Sequence, residues 1–335
     1  MTDPTDTMRG LIVEAPATDT GTTRVAELPV PEPGPGEVTI DVHYAGVNFK
    51  DVMARRGDPG YVPAWPFVPG LEVAGTVRAV GEGVRTLHPG RALRAYTGAG
   101  GLAEVAVASG TLAVPVPPGL DLARAAVAPG ALTSAALLLG EVGRLRPGET
   151  VLVHGAGGGV GRAALGLARR GGASRVLGTV GSSARVPPAL RAGFDAVLAR
   201  DGGWVEGARG ATAGRGVDLV LDPQGTDLLE DDLAAGAAGV RIVLFGNAGG
   251  AAPGPLPPLG RLMGANATLT GFSLAALAAT APDRVATALA AVLDDLADGS
   301  LTVGTSVVDG LAEAPDAQQR LAEGNADGKY VVRVR

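Results

Sequence analysis

Two periodicities divide the chain. Val38, Ile40, Val42 and Tyr44 alternate with Thr39, Asp41 and His43, a period of two that predicts a strand over Val38–Tyr44 with one buried face. Shorter runs at Gly10–Ala15, Leu71–Val80, Arg91–Tyr96 and Leu102–Ala108 read as further strands, separated by Gly and Pro signals. Pro31–Glu37 (PEPGPGE) is a turn-rich connector, not a domain linker. Strands at this spacing predict a compact, barrel-like domain. Near Pro117 the pattern changes, and Leu120–Leu139 turns helical. Strands then alternate with helices: Val151–His154, a helix over Gly159–Arg170, Arg175–Val180, a helix over Pro188–Ala192, and short strands at Ala196–Leu198, Val217–Leu221 and Arg241–Phe245. Such alternation predicts a parallel sheet of βαβ units. Beyond Gly271, the residues Val285, Leu289, Val292, Leu293 and Leu296 share one helical face, with Pro282 near its start and Gly299 past its end. A helix over Ala314–Glu323 and a strand over Lys329–Val334 follow.

A chain of 335 residues is long for one core, which agrees with two domains. Aromatics are only 3% of it, so the core must be built from Ala, Val and Leu. The net charge of −6 comes with no Lys/Arg block, which argues against a nucleic-acid partner. Cysteine is absent, removing disulfides, thiolate catalysis and Cys-based zinc sites together. The opening MTDPTDTMRG has no apolar core of a signal peptide, and the most apolar window, Ala125–Leu139, is broken by Pro129, Gly130, Thr133 and Ser134. A soluble, cytoplasmic protein without a membrane partner is the expectation.

Gly155-Ala156-Gly157-Gly158-Gly159-Val160-Gly161 lies between a predicted strand and a predicted helix, where a glycine-rich run acquires the meaning of a dinucleotide fingerprint. The turn needs a residue without a bulky side chain. A pyrophosphate approaching closely needs bare backbone, best met by Gly158, and Gly161 permits tight helix packing. The helix N-terminus then offers N–H groups and a positive dipole end. An NAD site would carry Asp or Glu at the end of the second strand, but no acid occurs from Arg175 to Arg191. Gly181, Ser182 and Arg185 stand there instead, and an arginine suits a 2′-phosphate by charge and planar geometry. NADP(H) is the expected cofactor.

The motifs GVNFKDVMARRG (Gly46–Gly57), PFVPGLEVAGTVRAVGEGV (Pro66–Val84), ALTSAALLL (Ala131–Leu139), GRGVDLVLDPQG (Gly214–Gly225) and VLFGNAGG (Val243–Gly250), with the glycine loop, resemble in content and order the medium-chain dehydrogenase/reductase superfamily. The closest likeness is to its zinc-free quinone oxidoreductase and enoyl reductase branch. The resemblance implies an α/β fold: a GroES-like β-barrel catalytic domain over residues 1–125 and 272–335, and a Rossmann doubly wound parallel-sheet domain over 126–271 inserted in it, with substrate entering between them. Zinc-dependent relatives carry a Cys within the segment matching GVNFKD and a His-Glu pair where Leu71-Glu72 stands here, so no metal is expected. Carried over residue by residue, cofactor contacts fall on Asn48, Thr133, Ala156, Gly158, Gly159, Val160, Gly161, Gly181, Ser182 and Arg185. Others fall on Phe245, Gly246, Asn247, Phe272, Ser273 and Lys329, and on Arg200, which occupies a place often held by Tyr. Two departures stand out. Asp222-Pro223-Gln224-Gly225 replaces a DSVG-like run, removing an N–H and a hydroxyl near the expected nicotinamide ribose, and Val186-Pro187-Pro188 breaks the start expected for the next helix.

Hydride transfer asks the protein for positioning and exclusion of water. Asn48 is the candidate for orienting nicotinamide or substrate, Tyr61 a candidate proton donor that reads equally as a cap on the cleft, and Asp51 a catalytic candidate that reads more readily as a helix-start carboxylate beside a solvated Lys50. His154, ending a strand beside the glycine loop, reads as structural; three scattered histidines make no metal site, and no Gly-x-Ser-x-Gly elbow occurs. The leading reading is a metal-independent NADPH reductase of a quinone or an α,β-unsaturated carbonyl compound. The alternatives are an enoyl reductase serving an acyl carrier in trans, and an NADP(H)-binding protein without redox turnover. A homodimer joined at the Rossmann sheet edge, with Arg241–Phe245 in that region, is implied by the resemblance.

Overall fold

The computed structural model describes residues 6–325 and 328–335. In chain order its strands are β1 (Thr7–Val13), β2 (Thr23–Pro29), β3 (Glu37–Gly46), β4 (Glu72–Val80), β5 (Ala92–Tyr96), β6 (Val105–Ser109) and β7 (Ala113–Pro115), then β8 (Thr150–His154), β9 (Arg175–Val180), β10 (Ala196–Ala199), β11 (Val217–Asp222), β12 (Gly236–Leu244) and β13 (Thr268–Gly271), and finally β14 (Thr305–Asp309) and β15 (Lys329–Arg333). They fall into two compact units, Met1–Thr133 with Leu274–Arg335, and Ser134–Ser273.

In the first unit, seven strands join in one sheet with β3 at its heart. β3 pairs antiparallel with β4 along one edge and with β6 and then β15 along the other. The predicted alternation holds for Val38, Ile40 and Val42, all fully buried, but not for Tyr44. Irregularities in the β3–β4 register at Thr39/Ile40 and Val42/Tyr44 shift the inward position from Tyr44 to Ala45. Leu11, Val73, Val77, Leu93 and Leu102 complete the core with Val332 from β15. The helix expected over Leu120–Leu139 is interrupted. Asp121 caps a single turn, Leu122–Ala125, and Pro129, which lacks an N–H, sits in the π-turn Ala128–Leu132 that follows.

The second unit is a six-stranded, wholly parallel sheet in the order β10-β9-β8-β11-β12-β13. Relabelled by position, this is the doubly wound order 3-2-1-4-5-6, in which the chain changes direction between β8 and β11. Its inner strands β8, β9 and β11 are buried along almost their whole length, as expected of parallel strands covered on both faces. Leu152, Leu177, Val220 and Ile242 from the sheet pack with Trp204, Leu229 and Leu233 from the helices Trp204–Ala211 and Leu229–Ala235. Two expectations are corrected here. Val186-Pro187-Pro188 does not break the helix: Val186–Arg191 is helical, with its prolines in the first turn, where the missing N–H groups have no helical partner to lose. Arg241–Phe245 is not the sheet edge, because β12 pairs on its outer side with β13, a strand whose Thr/Leu/Thr/Gly composition hid it among loop residues.

Candidate active site

The parallel-sheet unit gathers its functional residues at the carboxyl ends of its strands. β8 ends in His154 and turns at Gly155, whose φ of 71° is the left-handed conformation the turn demands. Ala156 N donates to Thr179 O at 3.0 Å, tying the loop to β9. Gly158 precedes the helix Gly159–Arg170 and caps it with no side chain, so the first-turn N–H groups of Gly159, Val160 and Gly161 remain for an anion. A Cβ on Gly161 would lie 2.4 Å from the Gly155 carbonyl oxygen, so the close packing this glycine permits is against the loop itself. Arg162, not anticipated from sequence, bends over the same loop, its Nε donating to Gly157 O at 3.3 Å.

At the end of β9 stand Gly181 and Ser182, followed by the turn Ser183–Arg185. Arg200, directly after β10, reaches the same place: its Nη2 would lie 3.6 Å from a Cβ on Gly181. Burial lowers the Arg200 pKa, the nearby Arg185 cation lowers it further, and Asp222 acts in the opposite direction. Arg200 has no ion pair among the described residues; its hydrogen bonds go to neutral oxygens, Thr179 Oγ1 and Gln224 Oε1, both at 3.1 Å. The Arg200 guanidinium therefore stands where an NAD-type site would put an acid. The nearest carboxylate in sequence, Asp201, accepts from Ser183 N at 3.3 Å.

Across the switch point, Phe245, Gly246 and Asn247 pack on the Asp222-Pro223-Gln224-Gly225 turn. Phe245 N donates to Asp222 O, Ala248 N to Pro223 O and Gly249 N to Gln224 O. Gly225, at φ 118°, admits the Asn247 amide, whose oxygen occupies the space a Cβ would need. Phe272 N donates to Leu244 O, so Phe272 and Ser273 line the same end of the sheet beyond β13. Below this rim lies a buried polar group: His154, Thr179, Asp222 and Asp232 are each no more than 1% exposed. His154 stacks edge-on against Trp204 at 5.0 Å. A cavity of about 570 Å³ opens at the opposite, amino-terminal edge, but its acids Glu149 and Asp218 are already paired with Arg241 and Arg215.

The barrel-like unit holds a second polar cluster. Asn48 precedes the helix Phe49–Arg56, and the Asp51 carboxylate accepts from Asn48 N at 2.8 Å and Gly70 N at 3.0 Å. Burial raises the Asp51 pKa against those two hydrogen bonds. Glu72, fully buried in β4, accepts from Lys329 Nζ at 2.6 Å, Asn48 Nδ2 at 2.8 Å and Gly130 N at 2.6 Å. Lys329 spends its other donors on Val47 O and Asn48 Oδ1. The Glu72 carboxylate takes the space that Cβ atoms on Gly46 and Gly130 would need, which explains why both are glycine. Glu72 was absent from the expected site, although an acid inside the apolar run Leu71–Val80 was a visible signal. Thr133, fully buried, donates from Oγ1 to Ala128 O at 2.8 Å. Tyr61 follows the helix in a turn closed on Asp58, and burial with the Asp58 charge raises its pKa. The structure thus joins Asn48, Asp51 and Lys329 in one cluster and leaves Tyr61 outside their hydrogen-bond network. Among the described residues, no three His, Asp or Glu side chains form a ligand set, and Glu72 is occupied by a lysine and two N–H donors. The donors present do not fit a zinc ion.

Residues 34–118 match the alcohol dehydrogenase GroES-like domain family, and residues 159–293 the zinc-binding dehydrogenase family. The chain is 33% identical over 223 residues to a quinone oxidoreductase of Rattus norvegicus, covering 66% of this chain and 68% of that one. It is 42% identical over 201 residues to erythronolide synthase EryA2 of Saccharopolyspora erythraea, over 58% of this chain but only 5% of the synthase. The native structure of mycobacterial Rv1454c complexed with NADPH superposes with a TM-score of 0.85 at 32% identity, covering 97% of this chain and 99% of that one. The chain is an oxidoreductase of the medium-chain dehydrogenase/reductase superfamily. Within it, the chain belongs to the zinc-free quinone oxidoreductase branch.

Proposed function

We propose that this enzyme transfers hydride from NADPH to a quinone or to an α,β-unsaturated carbonyl compound without a metal ion. The observation that carries the cofactor assignment is the end of β9: Arg200 reaches Gly181 with its hydrogen bonds spent on neutral oxygens, and the segment Arg175–Arg191 carries no acid to hold an unphosphorylated ribose. The NADPH complex of mycobacterial Rv1454c supports it. The uncapped start of the helix Gly159–Arg170 takes the pyrophosphate.

The bound cofactor supplies the hydride. The protein contributes position and a proton. With a quinone, hydride and one proton give the quinol, and the negative oxygen can take its proton from solvent. With a conjugated carbonyl, hydride adds to the β-carbon, and the resulting enolate needs an oxyanion partner and then a proton at the α-carbon. Tyr61, in the turn after the helix Phe49–Arg56, is the proposed donor, its phenol carrying the proton at neutral pH. Asn48 acts by orientation: both amide hydrogens and its carbonyl oxygen are engaged by Gly46, Glu72 and Lys329, so it presents a fixed surface. Asp51 serves by holding the Asn48 and Gly70 backbone.

The similarity to a segment of a synthase favours a second reading, an enoyl reductase fed by an acyl carrier. The experiment is oxidation of NADPH and NADH, followed at the nicotinamide absorbance, against simple quinones, α,β-unsaturated ketones and enoyl thioesters. Turnover with NADPH on quinones or enones supports the proposal, and preference for a carrier-bound thioester supports the second reading. Binding without turnover on any acceptor overturns both. The unpaired edge of β13, beside the exposed Leu256, Leu259 and Met263, supports a homodimer through that edge, tested by light scattering on a Leu259→Glu, Met263→Glu variant.

A further inference from the structure

Arg200, directly after β10, and Gln224, in the loop after β11, meet in the structure. Arg200 Nη2 donates to Gln224 Oε1 at 3.1 Å. Gln224 is itself held: Pro223 fixes the backbone before it, its N–H donates to Asp222 Oδ1 at 2.6 Å in an Asx-type turn, and its carbonyl accepts from Gly249 N. The other arm of the guanidinium rests on a hydrogen-bond chain whose direction follows from chemistry. Arginine only donates, so Thr179 Oγ1 accepts from Arg200 Nη1. At the other end a carboxylate only accepts, so His154 Nε2 carries the ring proton to Asp232 Oδ1 at 2.7 Å, and in the neutral imidazole Nδ1 then accepts from Thr179 Oγ1 at 2.6 Å. The imidazole is clamped by Trp204. The chain runs from a cation at the rim to a carboxylate in the core, every dipole pointing the same way.

We propose that Gln224 and Thr179, the latter backed by His154 and Asp232, are positioning residues that hold the Arg200 guanidinium at the 2′-phosphate of the cofactor, so that selectivity for NADP(H) depends on a glutamine in the loop after β11. This rests on the NADP(H) reading above. The physical reason is preorganisation. A long, flexible arginine loses much side-chain freedom when it grips a phosphate, and one already fixed through two nitrogens loses less. The acceptors are neutral, so they fix the guanidinium without cancelling the charge the phosphate needs. The motif Asp222-Pro223-Gln224-Gly225 thereby acquires a role of its own.

The test is calorimetric binding of two cofactor fragments, 2′,5′-ADP and 5′-AMP, to the full-length protein and its variants. Wild type is expected to prefer 2′,5′-ADP by at least tenfold. Gln224→Met, which keeps the length and removes the acceptor, is expected to weaken 2′,5′-ADP about five- to tenfold and 5′-AMP less than twofold. Thr179→Val is expected to behave likewise, and Thr179→Ser, which keeps the hydroxyl, to restore selectivity. In the Arg200→Gln background, Gln224→Met should add nothing further. An additive double variant, or equal weakening of both fragments, overturns the inference while the cofactor assignment stands. A wild type that binds the two fragments equally well overturns the NADP(H) assignment itself, and this inference with it.

Discussion

The two units each bury a polar cluster, and the clusters are finished to different degrees. In the barrel-like unit Lys329 has three donors and three acceptors, one of them the Glu72 carboxylate, and the charges cancel. In the parallel-sheet unit the rim holds Arg200, whose hydrogen bonds meet only neutral oxygens. A closed cluster fixes a shape. An open one has charge left over for a ligand, and its ligand should carry the missing sign. The contrast teaches that burial of charge alone does not mark a binding site; the unspent charge does.

The largest effect is expected where the closed cluster is broken on one side. Glu72→Ala leaves the Lys329 ammonium buried without its counter-ion and should cost about 3–5 kcal/mol in denaturant-measured stability. The double variant Glu72→Met, Lys329→Met should recover most of it, because both desolvated charges go together. If the single variant is as stable as wild type, the cluster is not closed as described. Breaking the open cluster should leave the fold intact and act on binding. Arg185→Ala and Arg200→Ala are each expected to weaken NADPH about tenfold or more, in line with about 1.5–3 kcal/mol for a charged hydrogen bond. Equilibrium titration of nicotinamide fluorescence reads this directly, and the loss should shrink as salt rises.

A smaller change sharpens the comparison by closing the open cluster deliberately. Gly181→Asp places a carboxylate beside Arg200, in space where a Cβ meets nothing nearer than 3.6 Å. The ratio of NADPH to NADH affinity should fall by about tenfold, as the added acid both pairs with the arginine and repels phosphate. An unchanged ratio would place the 2′-phosphate elsewhere. The smallest effect concerns Asp222, whose carboxyl is pushed up to about 7 by burial, then by the neighbouring Asp232 charge. A folded-state pKa above the unfolded one stabilises at low pH and is lost as pH rises through the folded value. Wild-type melting temperature should therefore fall between pH 5 and pH 8, and Asp222→Asn should flatten that fall by about 2–4 °C.

Much of this is legible in the sequence, and the reason is local. The glycine loop, the missing acid between Arg175 and Arg191, and Arg185 all lie within one strand–helix–strand segment, where spacing alone fixes placement. The helix Pro282–Ala297 announced its buried face through Val285, Leu289, Val292, Leu293 and Leu296, and all five are buried. What could not be read was long-range. Glu72 meets Lys329 across the whole unit, and His154 meets Asp232 from a helix 78 residues on. Gln224 was visible only as a departure from a pattern; its partner Arg200 lies on another strand's loop, so neither residue explained the other in sequence. The β2 and β13 strands escaped for a different reason: Thr23–Pro29 and Thr268–Gly271 are partly exposed edge segments without a clean alternation.

The bond from Lys329 Nζ to Val47 O spans 282 residues and has a consequence for biogenesis. The parallel-sheet unit is one uninterrupted stretch, Ser134–Ser273, and can fold once that stretch has been translated. The barrel-like unit is split around it. Strand β3 waits for β15, so an ion pair's worth of unpaired Glu72 must persist through most of translation. The late arrival of one strand leaves the barrel-like unit, begun before the parallel sheet, unfinished until after the sheet unit has been made.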